Sequence, residues 1–145
     1  MSARLGLVVA SAAMVVTLGA CEDEPPSDRV EGKWVLLEGT SPSGAFTGVR
    51  SYGVTLESDA HGNDGVVGGR TPCNNYGFQP SYDGGALVGD GVDRTLQGCR
   101  GAAGEVESAF FEALALVEHV DEEEDRLTLT GPDASLLFER GPVGS

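Results

Sequence analysis

Three cysteines and two histidines are the residues of this chain best suited to covalent or proton-transfer chemistry, and their positions decide which chemistry is open to them. Cys73 with His61 or His119 as its base would make a thiolate nucleophile, which needs a proton acceptor within hydrogen-bond reach. His61 falls in a turn and His119 beyond a helix, and nothing in the pattern makes either converge on Cys73. No Gly-x-Ser-x-Gly elbow, His-Glu-x-x-His helix or phosphate-cradling glycine loop is present. Two acidic stretches, Asp59-Ala60-His61-Gly62-Asn63-Asp64-Gly65 and Asp121-Glu122-Glu123-Glu124-Asp125, could offer oxygen ligands to calcium. The first has no glycine at its sixth position and no glutamate at its twelfth, so it departs from the EF-hand pattern. The second reads as a solvated loop. The expectation is therefore no catalytic residue, no metal and no cofactor, in a protein that is not an enzyme.

The third cysteine has a different context. Residues 1–20 carry one basic side chain, Arg4, and then an uncharged run from Leu5 to Ala20. This is the layout of a secretory signal. As a helix the run would reach only about 24 Å, short of the roughly 30 Å hydrocarbon core of a bilayer. It ends in Leu18-Gly19-Ala20-Cys21, which resembles the lipobox of bacterial lipoproteins. The resemblance implies cleavage before Cys21 and a diacylglycerol thioether on its sulfur, often with a further acyl group (palmitate or similar) on the new amino terminus. Two or more chains are needed for stable anchoring, because one binds only reversibly. The expected location is extracytoplasmic, on the cell membrane or on an outer membrane if the organism has one. Residues 21–31 are acidic and Pro-rich, and read as a tether between lipid and domain.

The formal net charge of −14 disfavours nucleic acid and anionic lipid headgroups as partners. The expected contacts are the membrane, through the lipid on Cys21, and an envelope protein or small ligand of unknown identity. Lipid on Cys21 would leave Cys73 and Cys99 as an even pair, and in an oxidising compartment such a pair is expected to be bridged. Closing a loop of that length would contribute about 3.5 kcal/mol through chain entropy.

Short apolar alternation separated by turn residues runs from Lys33 onward and predicts antiparallel strands. Strands are expected over residues 34–38, 52–57, 66–70, 77–82, 85–89 and 92–96, followed by a hairpin over 126–130 and 135–140. Pro80 lowers the strand signal around it. Residues 105–117 break the rhythm, because Val106, Ala109, Phe110, Ala113, Leu114 and Val117 recur at helical spacing, with Glu105 and Glu107 expected in the first turn. About eight short strands and one amphipathic helix packed on them predict a mainly β, α+β fold, a small antiparallel β-barrel. Trp34, Tyr52, Phe110, Phe111 and Phe138 are expected in its core; a hollow interior would instead suit a small apolar ligand.

Gly69-Arg70-Thr71-Pro72-Cys73-Asn74-Asn75-Tyr76-Gly77 resembles the first signature of the META domain (HslJ-like) family, a glycine-containing strand running into Cys-Asn, an aromatic residue and a glycine. Thr95-Leu96-Gln97-Gly98-Cys99 resembles the second, continued by Glu105, Phe110 and Leu114. With Trp34 and the closing hairpin, the resemblance covers residues 32–140 and leaves 141–145 as a tail. Pro72 and Gln97 depart from the family's usual small residue and methionine. The resemblance implies a small antiparallel barrel with one helix and no established catalysis, in a family linked to the cell envelope and to stress tolerance. Trp34, Asn74, Tyr76, Gly77, Thr95, Glu105, Phe110 and Leu114 are its expected structural positions, and Asn74 and Asn75 are expected to bond local backbone or take a left-handed turn.

Overall fold

Alternation of large apolar and polar residues dictates the terminal hairpin. In β8 (Arg126–Gly131) Leu127 and Leu129 point inward, and in β9 (Ala134–Arg140) Leu136 and Phe138 do the same. The two strands pair in unbroken antiparallel register from Arg126↔Glu139 to Gly131↔Ala134, through a turn where Asp133 takes positive φ. The computed structural model describes Gly19 and residues 28–142. Residues 1–18 and 20–27, which include Cys21 and most of the expected signal segment, and residues 143–145 thus lie outside the described residues.

β9 pairs on its other side with β1 (Lys33–Ser41). Between Leu36 and Glu38 the register shifts by one residue, and the inward parity of β1 changes from Trp34 and Leu36 to Gly39 and Ser41. A bulge of this kind bends a strand and raises its twist. Beyond β1 come β3 (Thr55–Ser58), β4 (Val67–Arg70), β5 (Asn75–Phe78) and the two-residue β6 (Asp93–Arg94); β2 (Gly44–Phe46) forms a hairpin with β1, and β7 (His119–Glu122) pairs with β8. Among the described residues the sheet has nine strands in the order β6-β5-β4-β3-β1-β9-β8-β7, with β2 beside β1, all antiparallel.

The mainly β fold with one helix is as expected, but the sheet does not close into a barrel. Its hydrogen-bonded path ends at β6 and β7, which do not pair among the described residues. β6 is too short to reach across. The loop before it bridges instead, with the Leu87 N–H donating to the Val117 carbonyl at 2.7 Å. Residues 85–89, expected as a strand, lie in this loop with a single bridge between Pro80 and Val88. Gly84, Gly85, Gly89 and Gly91 flank the two apolar residues, which insert into the core as a plug and extend no ladder. Residues 49–52 form a 3-10 turn where Tyr52 was expected to begin a strand. The acidic run is only partly a loop, since Asp121 and Glu122 belong to β7.

The helix α1 (Gly101–Leu114) packs against β1 and β9 with Val106, Phe110, Ala113 and Leu114 buried. Trp34, Leu36, Phe110, Leu114, Leu127, Leu129, Leu136 and Phe138 have no exposed surface. Burial of each such side chain is worth about 1.5–3 kcal/mol. Phe111 and Tyr52 are only partly buried against this core. Tyr76, Phe110 and Phe111 form three edge-on pairs with centroids 5.4–5.5 Å apart, and the Arg94 guanidinium covers the Phe111 ring at 4.7 Å.

The folded unit extends past both expected boundaries. Val30 is buried in the core, the Glu31 N–H donates to Glu122 Oε2 at 2.8 Å, and the Gly141 N–H donates to the Lys33 carbonyl at 2.8 Å. The tether composition ends at Asp28, where the apolar Val30 comes within reach of the sheet.

At Gly131 the chain crosses so closely over the end of the helix that a Cβ would stand 1.7 Å from the Leu116 carbonyl oxygen. No side-chain rotation relieves a clash with backbone. Gly131→Ala is expected to destabilise the domain by about 3 kcal/mol or more, whereas Gly85→Ala, in open space, changes stability by less than about 0.5 kcal/mol; urea unfolding of the two variants checks both.

Candidate functional site

Three segments distant in sequence meet at one end of the sheet. The tight turn between β4 and β5 contributes residues 71–74, the extended stretch after β6 contributes 95–99, and the second turn of α1 contributes Glu107. Cys73 and Cys99 are disulfide-bonded across 26 residues with their Cα atoms 5.7 Å apart. The expected pairing is therefore present.

Asn74 is the centre of the hydrogen bonding. Its Nδ2 donates to the Gln97 carbonyl at 3.2 Å and to Glu107 Oε1 at 2.5 Å, and its Oδ1 accepts from the Thr95 hydroxyl at 2.9 Å and the Gln97 N–H at 2.7 Å. An amide side chain has two donor hydrogens and two acceptor lone pairs, so Asn74 is fully used. It neither bonds only local backbone nor takes positive φ, contrary to expectation. Asn75 is exposed, and its N–H and carbonyl bond the Thr95 hydroxyl oxygen and N–H.

Glu107 is buried, and among the described residues no cation pairs with it. Its charge is met by donors: the Thr71 hydroxyl at 2.5 Å and the Cys73 N–H at 3.1 Å on Oε2, and Asn74 Nδ2 on Oε1. A buried carboxylate without such donors would cost several kcal/mol, and hydrogen bonds to a charged group are the stronger kind. The helix is thereby locked in rotation against the turn. Gly104, one turn earlier, lets α1 approach Cys99, whose carbonyl oxygen would stand 2.7 Å from an added Cβ.

Of the family positions expected to act, Glu105 is corrected. The helix starts at Gly101, four residues earlier than the apolar stripe suggests; Glu105 lies outside the buried stripe of Val106, Phe110, Ala113 and Leu114 and is exposed, while Glu107 carries the contacts. The signal for Glu107 was available, because it lies three residues before Phe110 and seven before Leu114, a charge on the core-facing stripe. Trp34, Tyr76, Phe110 and Leu114 are buried in the core, Thr95 joins the clasp formed by residues 71–74, 95–99 and Glu107, and Gly77 pairs with Gly68 and Asp93. Burial holds the Tyr76 phenol well above its ordinary value, assisted by the charge of Glu57, so it remains the donor to the Thr55 carbonyl at 2.6 Å. Cys21 lies outside the described residues.

The two departures from the family pattern are accommodated. Pro72 occupies a turn position that needs no N–H, while the Thr71 N–H closes the turn on the Asn74 carbonyl at 2.8 Å. Gln97 enters through its backbone alone, so its side chain is free to vary.

The proton acceptors considered for Cys73 lie elsewhere. His61 is in the 3-10 turn Ala60–Gly62 and His119 opens β7, at the opposite end of the strand order from β5. Neither bonds to the clasp. A second polar cluster ties the termini together: Arg140 covers the Trp34 ring at 4.2 Å, pairs with Glu122 at 3.2 Å and donates from Nε to the Glu124 carbonyl at 2.7 Å.

Comparison with known proteins supplies the family context. The META domain model matches residues 28–142. No significant match was found among curated proteins. An NMR structure of a protein from Burkholderia xenovorans is similar in fold, with a TM-score of 0.58 over 94% of this chain and 99% of that one, at 18% identity. Among the described residues, no helix is long and apolar enough to cross a membrane.

Asn74→Ala removes four hydrogen bonds and strips Glu107 Oε1 of its donor. Its expected cost is about 3–4 kcal/mol, while exposed Asn75→Ala costs under about 0.5 kcal/mol. Denaturant unfolding of both oxidised variants measures the difference.

Proposed function

We propose, from the premise that the chain belongs to the META domain family, that it is a non-catalytic, lipid-anchored lipoprotein of the cell envelope, serving as a binding or stress-associated module. The observation that carries this reading is the use made of the reactive residues. Cys73, Cys99, Asn74 and Glu107 are committed to one another in a saturated clasp, which suits a rigid scaffold better than a nucleophile. Cys21, in its lipobox-like context, is then the one cysteine left for modification.

The interval from Cys21 to Asp28 spans seven residues, at most about 25 Å when extended, so lipid on Cys21 would hold the domain close to the bilayer. The acidic surface opposes adsorption to anionic headgroups; attachment then depends on the acyl chains. Binding would use the outside of the fold, because the interior is filled by large side chains such as Trp34, Phe110 and Phe138. A surface groove of about 430 Å³ along β5 and β6, lined by His61, Asn75, Gln79, Arg94 and Thr95 among others, offers polar groups for an envelope protein or small ligand.

Expressed in a bacterium with isotope-labelled palmitate, the full chain is expected to take up label and fractionate with membranes, and Cys21→Ser to do neither. An unlabelled, soluble parent chain would refute the anchoring.

A further inference from the structure

We propose that the reduced form of the clasp is a binding site for a thiophilic divalent cation of the zinc class, held by Cys73, Cys99 and Glu107. Their ligand atoms, two sulfurs and one carboxylate oxygen, lie within 4.8 Å of one another. In a tetrahedral zinc site metal–sulfur and metal–oxygen distances of about 2.3 and 2.0–2.2 Å place such atoms roughly 3.5–3.8 Å apart. The Cα atoms of the cysteines are 5.7 Å apart, so rotation of two side chains on a fixed backbone is the movement required.

The surroundings suit a cation. Glu107 is buried without an ion-pair partner among the described residues, in a chain of net charge −14. Asn74 Nδ2 and the Thr71 hydroxyl already orient its carboxylate, the kind of support that metal-ligating carboxylates use. A surface depression of about 280 Å³ reaches two of the three ligands, Cys99 and Glu107, with Arg94 and Ser108 also in its lining, and gives the site a route to solvent. Two thiolates select zinc-class ions over magnesium or calcium.

The chemistry balances in two steps. A dithiol gives two electrons and two protons to the Cys73–Cys99 bond and closes to its own disulfide, leaving two protein thiols. The cation then displaces both thiol protons to solvent as two metal–sulfur bonds and one metal–oxygen bond form. This site is independent of lipid on Cys21.

The test uses the full chain in a Cys21→Ser background, where Cys73 and Cys99 are the remaining thiols. Reduced anaerobically with a dithiol and freed of reductant, it is titrated with Co²⁺ as a spectroscopic probe and then with Zn²⁺. Expected are one ion per chain, thiolate-to-cobalt charge transfer, tetrahedral visible bands displaced by Zn²⁺, and no such signal from the oxidised chain. Glu107→Gln should weaken binding by at least the roughly 10–100-fold typical of losing a supporting group. If reduction alone unfolds the chain, Zn²⁺ but not Mg²⁺ is expected to restore its circular dichroism. Absence of the signal from folded reduced protein, unchanged affinity in Glu107→Gln, or failure of Zn²⁺ to refold an unfolded reduced chain overturns the proposal.

Discussion

A buried carboxylate with no counter-ion among the described residues is the constraint on which the arrangement of this domain turns. Glu107 projects from the core face of the helix, where a charge is costly unless several donors meet it. Those donors are Thr71, Cys73 and Asn74, all in one four-residue turn. The helix must therefore dock with one rotation and one height against the β4–β5 hairpin. Asn74 carries the constraint further, since the same amide that donates to Glu107 also holds both backbone groups of Gln97. The disulfide fixes the two ends of that triangle covalently.

The rest of the fold follows from where this clasp stands. It gathers the β4–β5 turn, the stretch after β6 and the start of α1, leaving β1 and β9 to cover the apolar face of the helix. The two ends of the hydrogen-bonded path, β6 and β7, do not pair among the described residues. Leu87 and Val88 fill the gap from a loop, and Arg140 over Trp34 closes the other side with Glu122 and Glu31. An open sheet with plugged ends buries the same kind of core as a small barrel, without the continuous strand pairing.

Period-two alternation made β8, β9, the start of β1 and β4 legible in the sequence, and period-3.6 spacing made the helix legible. The disulfide followed from counting thiols and compartment. What the pattern did not carry was long-range. Residues 85–89 have strand-like apolar content, yet their hydrogen-bond partner, Val117, is a property of the tertiary fold. Gly101 to Gly104 carry no large apolar side chain, so the stripe alone placed the helix start too late; it named Glu105 and Glu107 together, and the family resemblance singled out Glu105, whereas Glu107 makes the contacts. Asn74 stands out in the sequence as a key position, but its four side-chain hydrogen bonds reach three residues at separations of 21 to 33, and local turn chemistry could not name them.

With its disulfide and saturated hydrogen bonds, the clasp of the oxidised protein is expected to open no more readily than the terminal hairpin. Native-state hydrogen exchange of the oxidised protein reads this directly at two amides. The Cys73 N–H is bonded to Glu107 Oε2 and the Gln97 N–H to Asn74 Oδ1, both outside regular ladders. The account predicts that both exchange only through global unfolding, with protection equal to that of the Leu129 and Phe138 amides in the terminal hairpin. Exchange of either as fast as the amides of the Asp83-Gly84-Gly85 loop would contradict it.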